Sequence, residues 1–409
     1  MIKNWAHSLA PLLSITSQGI GVAQLALLLW RIGPNQHTDA YLYLFNMGML
    51  PTQIVIVGVV FPMLLNRDRI SKRQATVVRH SVPLLACIFV VGACAWLWMN
   101  ERLDTAMIPL VLASIANAFV QSKLWFRAVA AEAGGDPNWI SGIAIPANSL
   151  AVVALLLPLQ KADLILAMIV ALVLGNGVLL ATMWKHRIGD RTLDELPHAR
   201  TPGSRAEGWF LTKAGVSYGG LAIIQSMAVI LPPAMLTLLS VAAKIVASLV
   251  ATFVNAIMPR IVHQASTSLE PSMRFLSWLY AGAVAAAAAL IAAAWWLRPD
   301  LISLAMCVGL WLAGSASNAV GQRAAYRFLP ANVSRITILV VPLITVLTVI
   351  SATVETFQLI TLICAYAAVD AITGAVLLVR MRQRRNASIA LTVIVLLGVM
   401  WTWSLIVGG

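Results

Sequence analysis

The chain has 409 residues, 60% of them hydrophobic and 11% charged, with a mean hydropathy of +0.87 and a formal net charge of +13. So apolar a chain cannot fold in water as a string of soluble domains, which excludes the soluble enzyme and binding-module classes. Its positive charge would by itself suit nucleic acid. The basic residues sit in short segments between apolar runs, however, so the expected surroundings are membrane lipids and no nucleic acid.

Apolar runs of about 18–25 residues, each able to cross a hydrocarbon core of ~30 Å as a helix, recur along the chain. The expected spans are 9–30, 40–65, 81–99, 105–126, 139–158, 162–184, 209–231, 235–259, 273–297, 300–319, 335–353, 357–380 and 387–407. That predicts an all-α polytopic membrane protein with about 13 transmembrane helices. If the N-terminus is inside, 23 of the 28 Lys and Arg residues fall on inside segments. Only Arg31, Arg102, Lys161 and Arg298 fall outside, and Lys244 lies within a span. The positive-inside rule then gives a multi-pass protein of the bacterial cytoplasmic (inner) membrane, N-terminus cytoplasmic and C-terminus outside. No small-residue cleavage site follows the first span, so no signal peptide is expected.

One long polar segment, residues 185–208, follows the sixth span and is expected to link two six-helix lobes, 1–184 and 209–380. Val59-Val-Phe-Pro62-Met-Leu-Leu-Asn in span two echoes Ala256-Ile-Met-Pro259-Arg-Ile-Val-His in span eight. Such a parallel repeat is a common plan of secondary transporters, with the substrate site between halves. Span thirteen, within 381–409, stands outside the duplication as one extra C-terminal helix. Cys87, Cys94, Cys307 and Cys364 all lie in apolar segments without CxxC spacing, so neither a disulfide framework nor a metal site is expected.

Two charges stand where a spanning helix should carry none: Lys244 in Ser240-Val-Ala-Ala-Lys244, and Asp370 in Ala365-Tyr-Ala-Ala-Val-Asp370. Each costs roughly 2.5–3.5 kcal/mol on insertion scales, so each must face protein, water or substrate. No Walker motif, HExxH, Ser-His-Asp set or redox motif occurs, and no enzymatic activity or cofactor is expected.

Three stretches carry a family resemblance. The first is Arg31-Ile-Gly-Pro-Asn-Gln-His-Thr38-Asp39-Ala40-Tyr41, followed by Phe45, Gly58 and Phe61-Pro62. The second runs from Gln225 through Ser240-Val-Ala-Ala-Lys244 to Ile257-Met-Pro259-Arg260, and the third is Gln322-Arg323-Ala-Ala-Tyr326 with Val333-Ser-Arg335-Ile. In this order they resemble the lipid II flippase (MviN-type) family of the multidrug/oligosaccharidyl-lipid/polysaccharide exporter superfamily. The chain departs from that family at Thr52-Gln53, where the family carries an Arg pair, and at Ala243-Lys244, where it carries Asp/Asn-Arg. One extra helix also stands in place of the family's thirteenth and fourteenth.

The resemblance implies a flippase that moves a lipid-linked saccharide or peptidoglycan-type cell-wall precursor by alternating access. A monomer is expected. Two other functions stay open: an ion-coupled multidrug or metabolite antiporter of the same superfamily, and a transport-inactive scaffold of envelope synthesis. Carrying such a lipid needs cations for phosphate and polar groups for sugar, which makes Lys244, Arg31, Gln53, Gln225 and Asn255 the candidate substrate contacts. Lys244 also reads as half of an ion pair with Asp370, and Arg31 as an interfacial snorkelling residue. Asp370 has three readings: the site of a coupling Na+ or H+, the partner of Lys244, or a helix-packing acceptor. Asp39 reads as part of a Thr38-Asp39 helix start or as an outer gate. The other intramembrane polar residues, Asn117, Gln121 and Asn176 among them, read as interhelical glue. Pro51, Pro146, Pro232, Pro233 and Pro342 mark breaks in spans or their ends.

Overall fold

A computed structural model describes residues 2–65, 70–197, 206–264, 268–328 and 338–407; side chains are not described at 2–8, 65, 206–210, 249, 251–253, 255–264, 326–327 and 407. Its regular secondary structure is helical throughout the described residues. Among them, ten helices are long and apolar enough to cross a membrane. Two shorter apolar helices and one further helix, Ala206–Met227, coincide with the remaining expected spans. The chain divides into two compact units, 1–222 with 232–237 and 223–231 with 238–409.

The first unit contains α1 (Ile2–Arg31), α2 (Gln36–Pro51), a π-helical stretch (Thr52–Val60) and α3 (Phe61–Leu65). After these come α4 (Lys72–Met99), α5 (Ile108–Ala133), α6 (Asn138–Ser141), α7 (Ile145–Leu155), α8 (Lys161–Lys185) and α9 (Asp190–Asp194). Helix α5 packs against α4 and α8, α2 against α4, and α7 against α1 and α8.

Three departures from the expected spans have local causes. Helix α4 begins about two turns before its apolar run, because Ser71 and Gln74 form a reciprocal capping box that starts the helix among polar residues. Span two is not a uniform α-helix. Pro51 has no N–H to give the ladder, and the next nine residues wind as a π-helix, with the Phe61 N–H returning to the Ile56 carbonyl. Span five is split into α6 and α7, and Pro146 sits in the first turn of α7, where a missing N–H costs nothing.

The front of the expected linker is folded. Gly189, at φ +80°, turns the chain into α9, and Leu196 joins a buried cluster with Ile70, Val82 and Phe126. The Lys72 N–H donates to the Pro197 carbonyl at 3.0 Å, tying this segment to the start of α4. Residues 198–205 lie outside the described set.

Helices α10 (Ala206–Met227) and α11 (Met235–Gln264) each contribute to both units. The second unit also holds α12 (Glu270–Leu297), α13 (Ile302–Phe328), α14 (Val340–Ser351), α15 (Leu359–Arg380) and α16 (Arg384–Val407). Helix α15 is its centre and packs against α13, α14 and α16. Small side chains allow that approach: Ala365, Ala367 and Ala371 of α15 are all fully buried. Trp295, Trp296 and Trp98, at helix ends, remain exposed, as an interfacial belt requires.

Candidate transport site

Asp39 lies in the first turn of α2, but it does not cap that helix. The N-cap is Asn35, whose side chain accepts from the N–H groups of His37 and Thr38 at 2.9 and 3.1 Å. Thr38 instead donates its hydroxyl to the Gly33 carbonyl at 2.8 Å. The expected Thr38-Asp39 helix start is therefore displaced to Asn35, the residue whose side chain reaches the free N–H groups.

This leaves the Asp39 carboxylate free to serve another helix. Its Oδ2 accepts from the Ala234 N–H at 2.7 Å, and its Oδ1 accepts from the N–H of Thr237 at 2.7 Å and from the Thr237 hydroxyl. Those groups are the start of α11, so a negative side chain 195 residues away in sequence fills a helix N-terminus. Ala234 is held at φ +82°, a left-handed conformation costly for a residue with a Cβ.

Helix α11 carries Lys244. Thr237, Ser240, Lys244, Ser248 and Asn255 fall within an arc of about 80° on a helical projection, a polar stripe along the largely apolar stretch 235–259 of the helix. Lys244 is half-buried and makes no hydrogen bond or ion pair among the described residues. The Ser240 hydroxyl one turn earlier is buried and also without a partner there. The side chain of Asn255 lies outside the described residues.

Asp370, on α15, is not the partner of Lys244. It accepts from the Trp311 indole Nε1–H at 2.9 Å, from the Asn318 amide at 2.7 Å and from Ser315. All three donors belong to α13. The Asn318 carbonyl oxygen in turn accepts from Gln322 at 2.8 Å, and the Trp311 ring lies 5.4 Å from that of Tyr366. The carboxylate thus sits in a cage of neutral donors, which satisfies a negative charge without neutralising it.

The remaining candidates fare differently. Arg31 donates to the Leu157 carbonyl at 2.8 Å, holding the end of α1 against the chain leaving α7. Gln53 lies in the π-helical stretch and Gln225 near the end of α10; both are half-buried. Asp39, Arg31 and Gln53 belong to the first unit, and Lys244, Gln225 and Asp370 to the second. Asn176 on α8 donates to Asn117 on α5 at 3.1 Å, a bond between helices as expected, whereas Asn117 donates to Gln121 at 3.3 Å within α5 itself. A buried Thr52–Ser122 hydroxyl pair at 2.7 Å adds a second bond between helices.

Sequence reasoning missed Ala234, Thr237, Trp311, Asn318 and Ser315 as partners of the two acids. Helical spacing could have found Thr237, Ser240 and Ser248 beside Lys244.

No protein-family model and no curated protein sequence matches the chain. Solved structures do match it in fold. A lipid II flippase, MurJ, in an inward closed conformation, superposes with a TM-score of 0.57 at 10% identity, over 99% of this chain and 95% of that one. An outward-facing multidrug resistance MATE family transporter of the MOP superfamily follows at 0.51 and 14% identity, over 95% and 96%. The fold is that of these membrane transporters. A MATE structure in a bent conformation gives 0.50 at 12% identity, over 95% and 97%. All three neighbours align along nearly their whole length, so the resemblance of the sequence motifs and the likeness in fold point the same way.

Proposed function

We propose that this protein is a flippase for an anionic lipid-linked saccharide or peptidoglycan-type precursor, working by alternating access between two six-helix lobes, 1–184 and 209–380. The observation that carries the reading is Lys244: an ammonium on an apolar helix, half-buried and unpaired among the described residues, flanked by Ser240 and Ser248. A lysine kept there without a partner among the described residues suits a ligand that brings the negative charge, and a phosphate-bearing lipid does so. In this reading Gln53, Gln225 and Asn255 serve the sugar, and Arg31 stands at the outer mouth. Asp39 acts in the outer gate, because it grips the start of the helix that carries Lys244. Asp370 carries the coupling Na+ or H+. The chain works as a monomer in the bacterial inner membrane, with its N-terminus inside.

A second reading, an antiporter of cationic drugs or metabolites, draws on the acid buried in neutral donors and on the likeness in fold to a multidrug transporter. One assay separates the two. Proteoliposomes are loaded with a fluorescent polyprenyl-diphosphate saccharide and quenched from outside. The flippase reading expects faster exchange than in empty vesicles, lost in Lys244→Ala and at least partly kept in Lys244→Arg. Exchange no faster than in empty vesicles, with transport of a cationic dye instead, would establish the antiporter.

A further inference from the structure

At the end of the first unit where α4 begins and α5 and α8 finish, the chain forms an open cavity of about 300 Å³. Among the described residues four cations line it, Lys72, Arg79, Arg127 and Arg187, against two acids, Asp190 and Asp194. Two of the cations are already engaged. Arg127, 4% exposed, pairs with Asp190 at 3.1 Å and donates to the Ile188 carbonyl at 3.0 Å, while Lys72 pairs with Asp194 at 3.0 Å. Arg79 and Arg187 have no partner among the described residues. Among the described residues the cavity therefore has two guanidinium groups without a partner, above a floor of paired side chains.

The way Arg187 is held adds to this. It occupies the left-handed position after α8, at φ +52°, and the turn is a Schellman motif: the Arg187 N–H donates to the Trp184 carbonyl and the Ile188 N–H to the Met183 carbonyl. Glycine is the usual residue at that position, so the chain carries an arginine where a glycine would cost less. Gly189, two residues on, has no such freedom, since a Cβ there would meet the Arg127 carbonyl at 2.7 Å.

We infer that this cavity binds the phosphate head group of an anionic phospholipid, with Arg79 and Arg187 as its ligands. Guanidinium groups grip phosphate through paired N–H donors, and basic pockets between transmembrane helices hold lipid head groups. The volume suits a phosphoglycerol group and is at the lower limit for small-molecule pockets. The cavity opens at the ends of spanning helices, and Trp184 on its wall is 67% exposed, as an interfacial aromatic is. These features favour a lipid over free phosphate. Lys244 is not among its lining residues, and the inference does not rest on the flippase reading.

The test uses delipidated full-length protein and thermal unfolding, titrated with dioleoyl-phosphatidylglycerol, dioleoyl-phosphatidylcholine or inorganic phosphate. Arg187→Gly keeps the turn, Arg79→Gln lies on a helix surface, and Arg73→Gln, exposed on the same helix outside the cavity, is the control. Phosphatidylglycerol should stabilise the parent and the Arg73→Gln variant alike. The Arg79→Gln/Arg187→Gly double variant should need roughly tenfold or more lipid for the same shift, from about 1 kcal/mol per basic residue. Equal response of the double variant, equal effect of phosphatidylcholine, or an equal loss in Arg73→Gln would overturn the site. If inorganic phosphate alone gives the parent's full shift and loses it in the double variant, the lipid source is wrong.

Discussion

The Asp39 carboxylate and Thr237 make a double contact, backbone N–H and hydroxyl both donating to Oδ1, across 198 residues of sequence. With the Ala234 N–H on Oδ2, the acid supplies α11 with the cap its own preceding residues, Pro232 and Pro233, cannot provide. Asp39→Ala removes every acceptor and should cost about 1–2 kcal/mol, the usual worth of an N-cap. Asp39→Asn retains one amide oxygen but turns an NH2 toward a donor, so it should fall between. The order parent, Asn, Ala in thermal unfolding checks this; equal stability of all three would remove the cap.

Ala234 gives the complementary test, because its left-handed backbone favours glycine. Ala234→Gly should match or exceed the parent in stability by up to ~1 kcal/mol, whereas Ala234→Val should lower it by more than that. Thermal unfolding of the two variants reads the sign directly. A destabilised glycine variant would mean that the strained turn is not as described.

Lys244 offers a separation of function from folding. A half-buried ammonium without a partner among the described residues gains nothing from them, so Lys244→Ala should leave thermal stability unchanged or raised. If the group serves substrate, transport must fall to background in the same protein at the same abundance. Loss of stability together with loss of transport would make Lys244 a structural residue.

The spans and the two intramembrane charges were legible because hydrophobic length and a lone charge are local signals. Lys244 and Asp370 stand out within a dozen residues of their own sequence. Their settings did not. The donors around Asp370 lie 52 to 59 residues away on α13, and Trp311 or Asn318 alone looks like an ordinary span residue. Helix edges among polar residues were also hidden: α4 starts at Lys72 through a capping box, and α9 folds from a stretch that hydropathy marks only as a linker. Pro51 announced a break, but not that a π-helix of nine residues would follow it.

Asp370 should answer differently to two substitutions. Asp370→Ala strands the Trp311 and Asn318 donors in a buried site, at about 1–3 kcal/mol each for unmet groups. Asp370→Asn keeps an acceptor for one of them and should fold closer to the parent. If the acid couples an ion, the Asn variant loses the sodium or pH dependence of transport while remaining folded. Unchanged ion dependence in a folded Asn variant would leave Asp370 as a helix-packing acceptor.

The π-helical stretch of span two makes its own close approach. A Cβ at Gly58 would collide with the Ala214 methyl on α10 and lie 3.2 Å from the Gln53 carbonyl. Gly58→Ala should therefore destabilise by about 1–3 kcal/mol, the range for overpacking. Ala214→Gly removes the opposing methyl and should recover part of that loss in the double variant, although alone it costs up to ~1 kcal/mol of helix propensity. Thermal unfolding of the four proteins gives the coupling between the two positions. Strict additivity would show that the methyl groups never meet, and that Gly58 is kept for the backbone of the π-helix alone.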